Sequence, residues 1–133
     1  MDTFEYQDKL FAILSNDTEL LNIFNNPSDI DQLNNVFRRE ACMPEEVTVE
    51  KIPFVTFVFI DTLPTDNYMI NNGVLEFNAY VSSRYAAMLI KRRIDALIKK
   101  NIEQFQVTYE GQVSSGVQGV ICYRWRYKKL VSS

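Results

Sequence analysis

The chain has 133 residues, of which 47% are apolar and 23% are charged, and it contains two cysteines and no histidine. This balance is typical of one packed globular domain, residues 1–133, and excludes a disordered chain. Without histidine there can be no Ser/His or Cys/His nucleophile system and no zinc site that needs histidine, and two cysteines cannot form an all-cysteine zinc site. We therefore expect no ordinary hydrolase or metalloenzyme.

The formal charge of −3 conceals two segments of opposite sign. Residues 1–83 hold fourteen acidic side chains against four basic ones, a net of −10, whereas residues 84–133 hold ten basic against three acidic ones, a net of +7. One interpretation is that the two segments neutralise each other inside the fold. The other is that they form separate surfaces that meet on neighbouring copies, because complementary charge fixes register between partners. The sequence leaves both open.

The first 39 residues are acidic, and the spacing of their apolar side chains predicts three short helices. Asp17 can cap the second helix, which must end before Pro27. Ser28 and Asp31 resemble a capping arrangement for the third. The apolar positions are Phe4, Leu10, Phe11 and Leu14 in the first helix, Leu20, Leu21 and Phe24 in the second, and Ile30, Leu33, Val36 and Phe37 in the third.

Residues 47–130 predict a core of two strands, a long helix and two further strands. Residues 54–60 are almost wholly apolar, β-branched or aromatic, which indicates a strand buried on both faces. The next strand, from residue 74, alternates, so that Glu76 and Asn78 are expected on the face opposite to the core. A helix over residues 84–102 has an apolar stripe formed by Ala86, Leu89, Ile90, Ile94, Leu97 and Ile98.

The fold class expected from this order is α+β. Short N-terminal helices precede a β-β-α-β-β arrangement, in which a mostly antiparallel four-stranded sheet packs on the long helix. The last strand places Tyr123, Trp125 and Tyr127 on one face and the basic residues between them on the other. The glycines at 111, 116 and 119 are expected in turns.

The search for reactive groups finds little. No glycine-rich phosphate loop is present, and Glu45 and Glu46 are adjacent, so their side chains diverge. Asp61 and Asp66 could together bind a cation, but their spacing matches no calcium loop. Cys122 lies between aromatic residues and has no histidine partner, which favours a packed thiol. We expect no cofactor, no metal and no enzymatic activity.

The segment YRWRYKK at residues 123–129 permits two interpretations. Basic residues interleaved with aromatic ones suit a platform for single-stranded nucleic acid, where rings stack on bases and cations bind phosphates. On a strand, however, alternation sends the rings into the core and Arg124, Arg126 and Lys128 outwards. The sequence pI near 5.0 also disfavours nucleic-acid binding.

Three segments in this order resemble a known family: IPFVTFVFIDT, then NGVLEFNAYVSS, then RYAAMLIKRRIDALI. Together with the closing strands, they are similar to the core of the phage tail-completion proteins, also called tail terminators or tail-to-head joining proteins of long-tailed phages. The resemblance covers residues 47–130 and is one of pattern and length, since the family has no catalytic motif. The N-terminal helices match it only in kind.

The resemblance implies a structural virion protein of the tail or neck, assembled in the cytoplasm of a host bacterium. Such subunits form a ring, typically a hexamer, that caps the tail tube and forms the joint to the head connector or head-closure protein. DNA passes through the lumen without specific binding, and no membrane is involved. The alternatives are another neck, tube or baseplate component on the same fold, or a small module that binds single-stranded nucleic acid.

Two sets of residues are the candidate contact sites. The candidate subunit or partner interface consists of Arg84, Lys91, Arg92, Lys99, Arg124, Arg126 and Lys128. The segment 61–73 is expected to be a mobile loop that becomes ordered against a tube or neighbour. Its candidate contact residues are Asp61, Asp66, Asn67, Tyr68, Asn71 and Asn72.

Overall fold

The computed structural model describes residues 3–60, 74–101 and 105–129, and within these ranges four helices and five strands form an α+β fold. The helices are α1 (Thr3–Ser15), α2 (Thr18–Ile23), α3 (Ile30–Val36) and α4 (Arg84–Asn101). The strands are β1 (Phe37–Arg38), β2 (Phe54–Ile60), β3 (Val74–Val81), β4 (Phe105–Val113) and β5 (Ile121–Lys129). A 3-10 turn at Pro44–Glu46 precedes β2. The predicted fold class is confirmed.

Side-chain caps fix where the helices begin. Asp17 accepts a hydrogen bond from the Leu20 N–H at 3.0 Å and caps α2 as predicted. The cap of α3 is Asp29, one residue after the predicted Ser28. Gln32 completes this cap, because its side-chain oxygen accepts from the Ser28 N–H at 2.8 Å. These short-range bonds fix the residue at which α3 begins.

The sheet has the order β1-β2-β3-β5-β4, with β1 parallel to β2 and the other neighbours antiparallel. The prediction of four strands is therefore wrong by one. The additional strand is Phe37–Arg38, which pairs with Val55 and Thr56. Because Phe37 continues the helical spacing of α3, its apolar side chain was assigned to that helix. In the structure α3 ends at Val36 and Phe37 is fully buried in the sheet.

The main core lies between the helices and one face of the sheet, called here the inner face. Phe77 on β3 stacks on Trp125 on β5, with ring centroids 5.2 Å apart and an interplanar angle of 7°. From α4, five side chains are buried against this face: Ala87, Ile90, Ile94, Leu97 and Ile98. The predicted stripe is confirmed at its last four positions, whereas Ala86 and Leu89 are only half-buried.

The opposite face of the sheet, called here the outer face, is covered at one end by the segment before β2. A small cluster of Val47, Phe54 and Val120 is buried there, with Tyr80 packed against it. The prediction that Gly111 forms a turn is wrong: β4 continues through it to Val113, and the hairpin to β5 bends at Gly116 and Gly119, which have φ values of 76° and 85°. This extra length of β4 forms one wall of the groove described below.

Candidate interaction surfaces

A groove of about 700 Å³ lies between the first half of α4 and strands β4 and β5. It is at the β4 edge of the sheet, and we call it the edge groove. Its apolar lining includes Tyr85 and Met88, whose side chains are 65% and 38% exposed. The full lining is Arg84, Tyr85, Ala87, Met88, Lys91, Arg92, Glu110, Gly111, Gln112, Ile121 and Tyr123. Exposed apolar side chains gathered in a concave site are typical of a contact surface.

Three of the predicted interface residues, Arg84, Lys91 and Arg92, come together in the edge groove. Lys91 forms an ion pair of 3.0 Å with Glu110 on β4, which links the helix to the sheet within the groove lining. Arg84 and Arg92 are exposed and form no ion pair with any residue in the described ranges. Their positive charge is therefore available to a partner.

Lys99, the fourth basic residue predicted on this helix, lies outside the edge groove. It pairs with Asp95 at 3.0 Å, one turn back along α4. Asp95 also accepts a hydrogen bond from the Tyr127 hydroxyl at 3.0 Å, and that hydroxyl accepts one from the Trp125 indole at 3.0 Å. Burial and the adjacent carboxylate raise the pKa of Tyr127. Asp95 and Lys99 thus complete a hydrogen-bonded chain that begins in the core.

Arg124 and Arg126 lie on the outer face, as predicted, and are anchored there by two buried residues of β3. Arg126 Nε donates to Glu76 at 2.9 Å, and Arg124 Nε donates to the Asn78 side-chain oxygen at 2.8 Å. Asn78 in turn donates to Glu76 at 3.0 Å. A single carboxylate therefore serves two guanidinium groups, and a net positive charge remains on this face. Lys128, the next residue in the row, is exposed.

The prediction that Glu76 and Asn78 face away from the core is confirmed, but they are not exposed to solvent. Their exposed fractions are 7% and 5%. Arg126 and Arg124 lie opposite them on β5 and donate hydrogen bonds to them, which shields both residues from solvent. An alternating pattern identifies the face of a strand, but it does not identify what covers that face.

The aromatic rings of the segment 123–129 are not available as a stacking platform. Trp125 and Tyr127 are fully buried on the inner face against Phe77. Tyr123 is half-buried and lines the edge groove. The separation of rings from cations expected for a strand is thus observed in this segment.

Some of the basic charge of the second segment is neutralised inside the fold. Arg93 on α4 binds Asp17 with both its Nε, at 2.9 Å, and one terminal nitrogen, at 2.6 Å, and it lies 3.5 Å from Glu19. The hydrogen bonds from Arg93 lower the pKa of Asp17, although burial opposes them. Glu76 compensates Arg124 and Arg126 in the same way. The two segments therefore neutralise each other inside the fold at these residues.

A second hollow, of about 620 Å³, lies at the opposite edge of the sheet, beside β1. Its lining is mainly polar and includes Arg38 and Glu46, which form an ion pair at 3.5 Å. The Arg38 guanidinium also stacks over the Phe54 ring at 3.8 Å. Cys42 is within reach of both charged groups, and burial raises the pKa of its thiol. Arg38, Cys42 and Glu46 therefore bind one another at this edge of the sheet.

Near the same edge, the first turn of α3 is exposed and acidic. Ile30 is the first residue of the helix and is 60% exposed. It lies between Asp29 and Asp31, which are also exposed. We call Asp29, Ile30 and Asp31 the acidic turn. The helical spacing of Ile30, Leu33, Val36 and Phe37 predicts a buried Ile30, and this prediction is wrong.

The predicted loop residues Asp61, Asp66, Asn67, Tyr68, Asn71 and Asn72 lie outside the described residues. Within the described ranges, no group of three or more potential metal ligands comes together. None of the helices described there combines the length and the apolar character that a bilayer crossing requires. Comparisons with protein-family models, with curated proteins and with solved structures find no match to this chain.

Proposed function

We propose that this chain is a structural subunit of a bacteriophage tail, a tail terminator or tail-completion ring protein. Its partners are further copies of itself in a hexameric ring, the tail tube protein, and the head connector or head-closure protein. It works by binding and by geometric blocking, with no chemical step. It acts in the virion, after assembly in the host bacterial cytoplasm, and DNA passes through the lumen without specific binding.

The observation that carries this proposal is the edge groove, in which Arg84 and Arg92 form no ion pair with a described residue. Exposed apolar side chains flanked by Arg84 and Arg92 are suited to a protein partner with an acidic, partly apolar surface. The pattern of residues 47–130, which resembles the tail-completion proteins, adds the class of assembly. The net charge of −10 on residues 1–83 supplies a complementary surface within the same chain.

The first test is the charge reversal Arg92→Glu. It should weaken self-association at least tenfold while leaving the monomer folded, because Arg92 is exposed and forms no ion pair with a described residue. Sedimentation velocity measures the association, and circular dichroism checks the fold. The matched control is Lys100→Glu, which makes the same charge change on the same helix but outside the edge groove. Equal assembly by both variants contradicts the proposed interface.

The second test examines the role at the tail tube. Purified tail tubes incubated with the wild-type chain should carry a ring at one end in electron micrographs and should stop growing at that end. The Arg92→Glu variant should fail to cap them. Tubes that remain bare and continue to grow with the wild-type chain contradict the proposed function.

A tube or baseplate component is the second candidate, and the free edge of β4 favours it. β4 is nine residues long and pairs only with β5 among the described strands. An open edge of this length is a template for another strand. However, a bulge between Val107 and Tyr109 interrupts the strand, and bulges hinder edge-to-edge pairing. A tube protein should polymerise alone into filaments of indefinite length, whereas a terminator should stop at a ring.

A module that binds single-stranded nucleic acid is the third candidate, and the buried rings of Trp125 and Tyr127 weigh against it. A gel shift with single-stranded DNA at low salt separates it from the others. We expect no shift, and a salt-dependent shift would support this candidate.

A further inference from the structure

We propose that the edge groove receives the acidic turn, Asp29–Ile30–Asp31, of a second copy of this chain. This inference rests on the proposed assembly function and names the two surfaces that join neighbouring subunits. Ile30 enters between Tyr85 and Met88, and the two aspartates pair with Arg84 and Arg92, which form no ion pair with a described residue.

The acidic turn has the shape of a small projecting contact. α3 packs against β1 and β2 through Leu33 and Val36. Ile30, at the start of the helix, therefore lies outside the core. Asp29 caps the helix through one oxygen, which accepts from the Gln32 N–H at 2.8 Å. Asp31 forms no ion pair with any residue the structure describes, so its charge is available to a partner.

The edge groove has a chemistry complementary to that of the acidic turn. Arg84 and Arg92 are eight residues apart on α4, roughly 12 Å along the helix axis. Met88 lies midway between them, so the apolar centre has a cation on each side. In the acidic turn, Ile30 has an acidic residue on each side in the sequence.

The other exposed apolar residues of the acidic segment lack this pattern. Phe4 is 76% exposed but is flanked by Thr3 and Glu5. Met43 and Val49, each 55% exposed, likewise have at most one acidic neighbour. Among the exposed large apolar side chains in the described part of residues 1–83, only Ile30 has an acid on both sides. Charge complementarity therefore selects the acidic turn.

Within one subunit the acidic turn does not line the edge groove, and the elements that carry the two surfaces lie at opposite edges of the sheet. α3 packs at the β1 edge and the edge groove is formed at the β4 edge. Four strand spacings separate these edges, roughly 19 Å. A contact between unlike surfaces on opposite sides is heterologous, and it closes into a ring when the rotation between subunits allows.

A mixing experiment tests this inference. Ile30→Asp removes the apolar contact from the turn, and Met88→Asp places an acid in the groove. Each variant alone should fold but remain monomeric, with association weakened at least tenfold in sedimentation velocity. Mixed together, the two should form discrete 1:1 dimers, because the intact turn of the Met88→Asp copy can enter the intact groove of the Ile30→Asp copy. The two defective surfaces then prevent further growth.

The control is Phe4→Asp, which alters a more exposed apolar residue outside the acidic turn and should assemble like the wild-type chain. Wild-type assembly by Ile30→Asp, or a mixture that stays monomeric although both variants fold, would overturn the inference. If Ile30→Asp still forms rings and caps tubes, only this inference fails. If the wild-type chain neither associates nor caps tubes, the proposed function fails as well.

Discussion

Glu76 is the residue whose role differs most from what its position in the sequence suggests. In an alternating strand it reads as a solvent-facing acid, yet it is almost completely buried and binds two arginines and Asn78. The sequence could identify the face on which it lies but not its burial, because the covering side chains come from residues 48 and 50 positions later. Only the pairing of β3 with β5 brings Arg124 and Arg126 over it.

Replacing Glu76 should lower the free energy of unfolding. Glu76→Ala leaves two guanidinium groups without their carboxylate, and because those groups are about one-third exposed, we expect a loss of about 2 kcal/mol in the free energy of unfolding. Urea titration measures the loss. The matched control is Glu110→Ala, which breaks a more exposed pair with Lys91 and should cost about 0.5 kcal/mol. Equal losses from the two variants would contradict the prediction that buried Glu76 stabilises the fold more than exposed Glu110 does.

Asp17 makes stability depend on pH. Hydrogen bonds from Arg93 hold the pKa of Asp17 below its ordinary value of 3.8 in the folded chain. Ionised Asp17 therefore stabilises the fold fully above pH 3.8, and this contribution is lost as the pH falls through the lower folded-state pKa. The variant Asp17→Asn keeps the cap but loses the charge.

We expect the wild-type chain to be more stable than Asp17→Asn at pH 7, and the difference to shrink progressively below pH 3.8. Urea unfolding of both proteins across this range measures it. A stability difference that stays constant from pH 7 into the acid range would show that the ionised pair contributes nothing.

At the scale of elements, the sequence predicted α4 within one residue at its end and placed β2, β3 and β5 correctly. These segments are long and strongly periodic. The sequence does not predict β1, because two residues are too few to show the alternation of a strand. In addition, Phe37 fits the helical spacing of α3. A parallel pairing with Val55 and Thr56 is a long-range choice that no local pattern encodes. Likewise, Ile30 fits the helical spacing of α3, although none of the described elements covers it.

One face of helix α4 is buried against the sheet, and another lines the edge groove. Single substitutions on each face should separate their effects on stability and on assembly. Ile94→Ala, at a fully buried position, should lower the free energy of unfolding by about 3 kcal/mol because it leaves a cavity against the sheet. Met88→Ala, on the same helix in the edge groove, should change it by about 0.5 kcal/mol or less. Met88→Ala should instead weaken assembly, as sedimentation velocity will show. A large stability loss from Met88→Ala would place this residue in the core.

At the scale of the whole molecule, the division of charge shows what a sequence can and cannot provide. The counts of acidic and basic residues identify two segments of opposite sign. They do not show that Arg93, Arg124 and Arg126 are bound internally, whereas Arg84 and Arg92 remain exposed. That distinction depends on the topology. The complementarity of the edge groove and the acidic turn can be recognised only when the fold has placed both surfaces.

Assembly should depend on salt more strongly than folding does, because the core that stabilises the fold is mainly apolar. Raising NaCl from about 0.1 M to about 1 M shortens the Debye length from about 10 Å to about 3 Å and screens exposed pairs. Two such pairs per interface, at about 0.5 kcal/mol each, correspond to a loss of about fivefold in association. Sedimentation velocity at both salt concentrations measures it. The double variant Arg84→Gln, Arg92→Gln should lose most of this dependence, and an unchanged dependence would contradict a charged interface.

The single tryptophan of the chain provides a built-in optical reporter. Trp125 is fully buried on the inner face and donates its indole N–H to Tyr127, and it does not line the edge groove. Its fluorescence should be blue-shifted in the folded chain, shift to the red on unfolding, and stay unchanged when subunits join. One emission spectrum can therefore distinguish a variant that no longer folds from one that folds but no longer assembles.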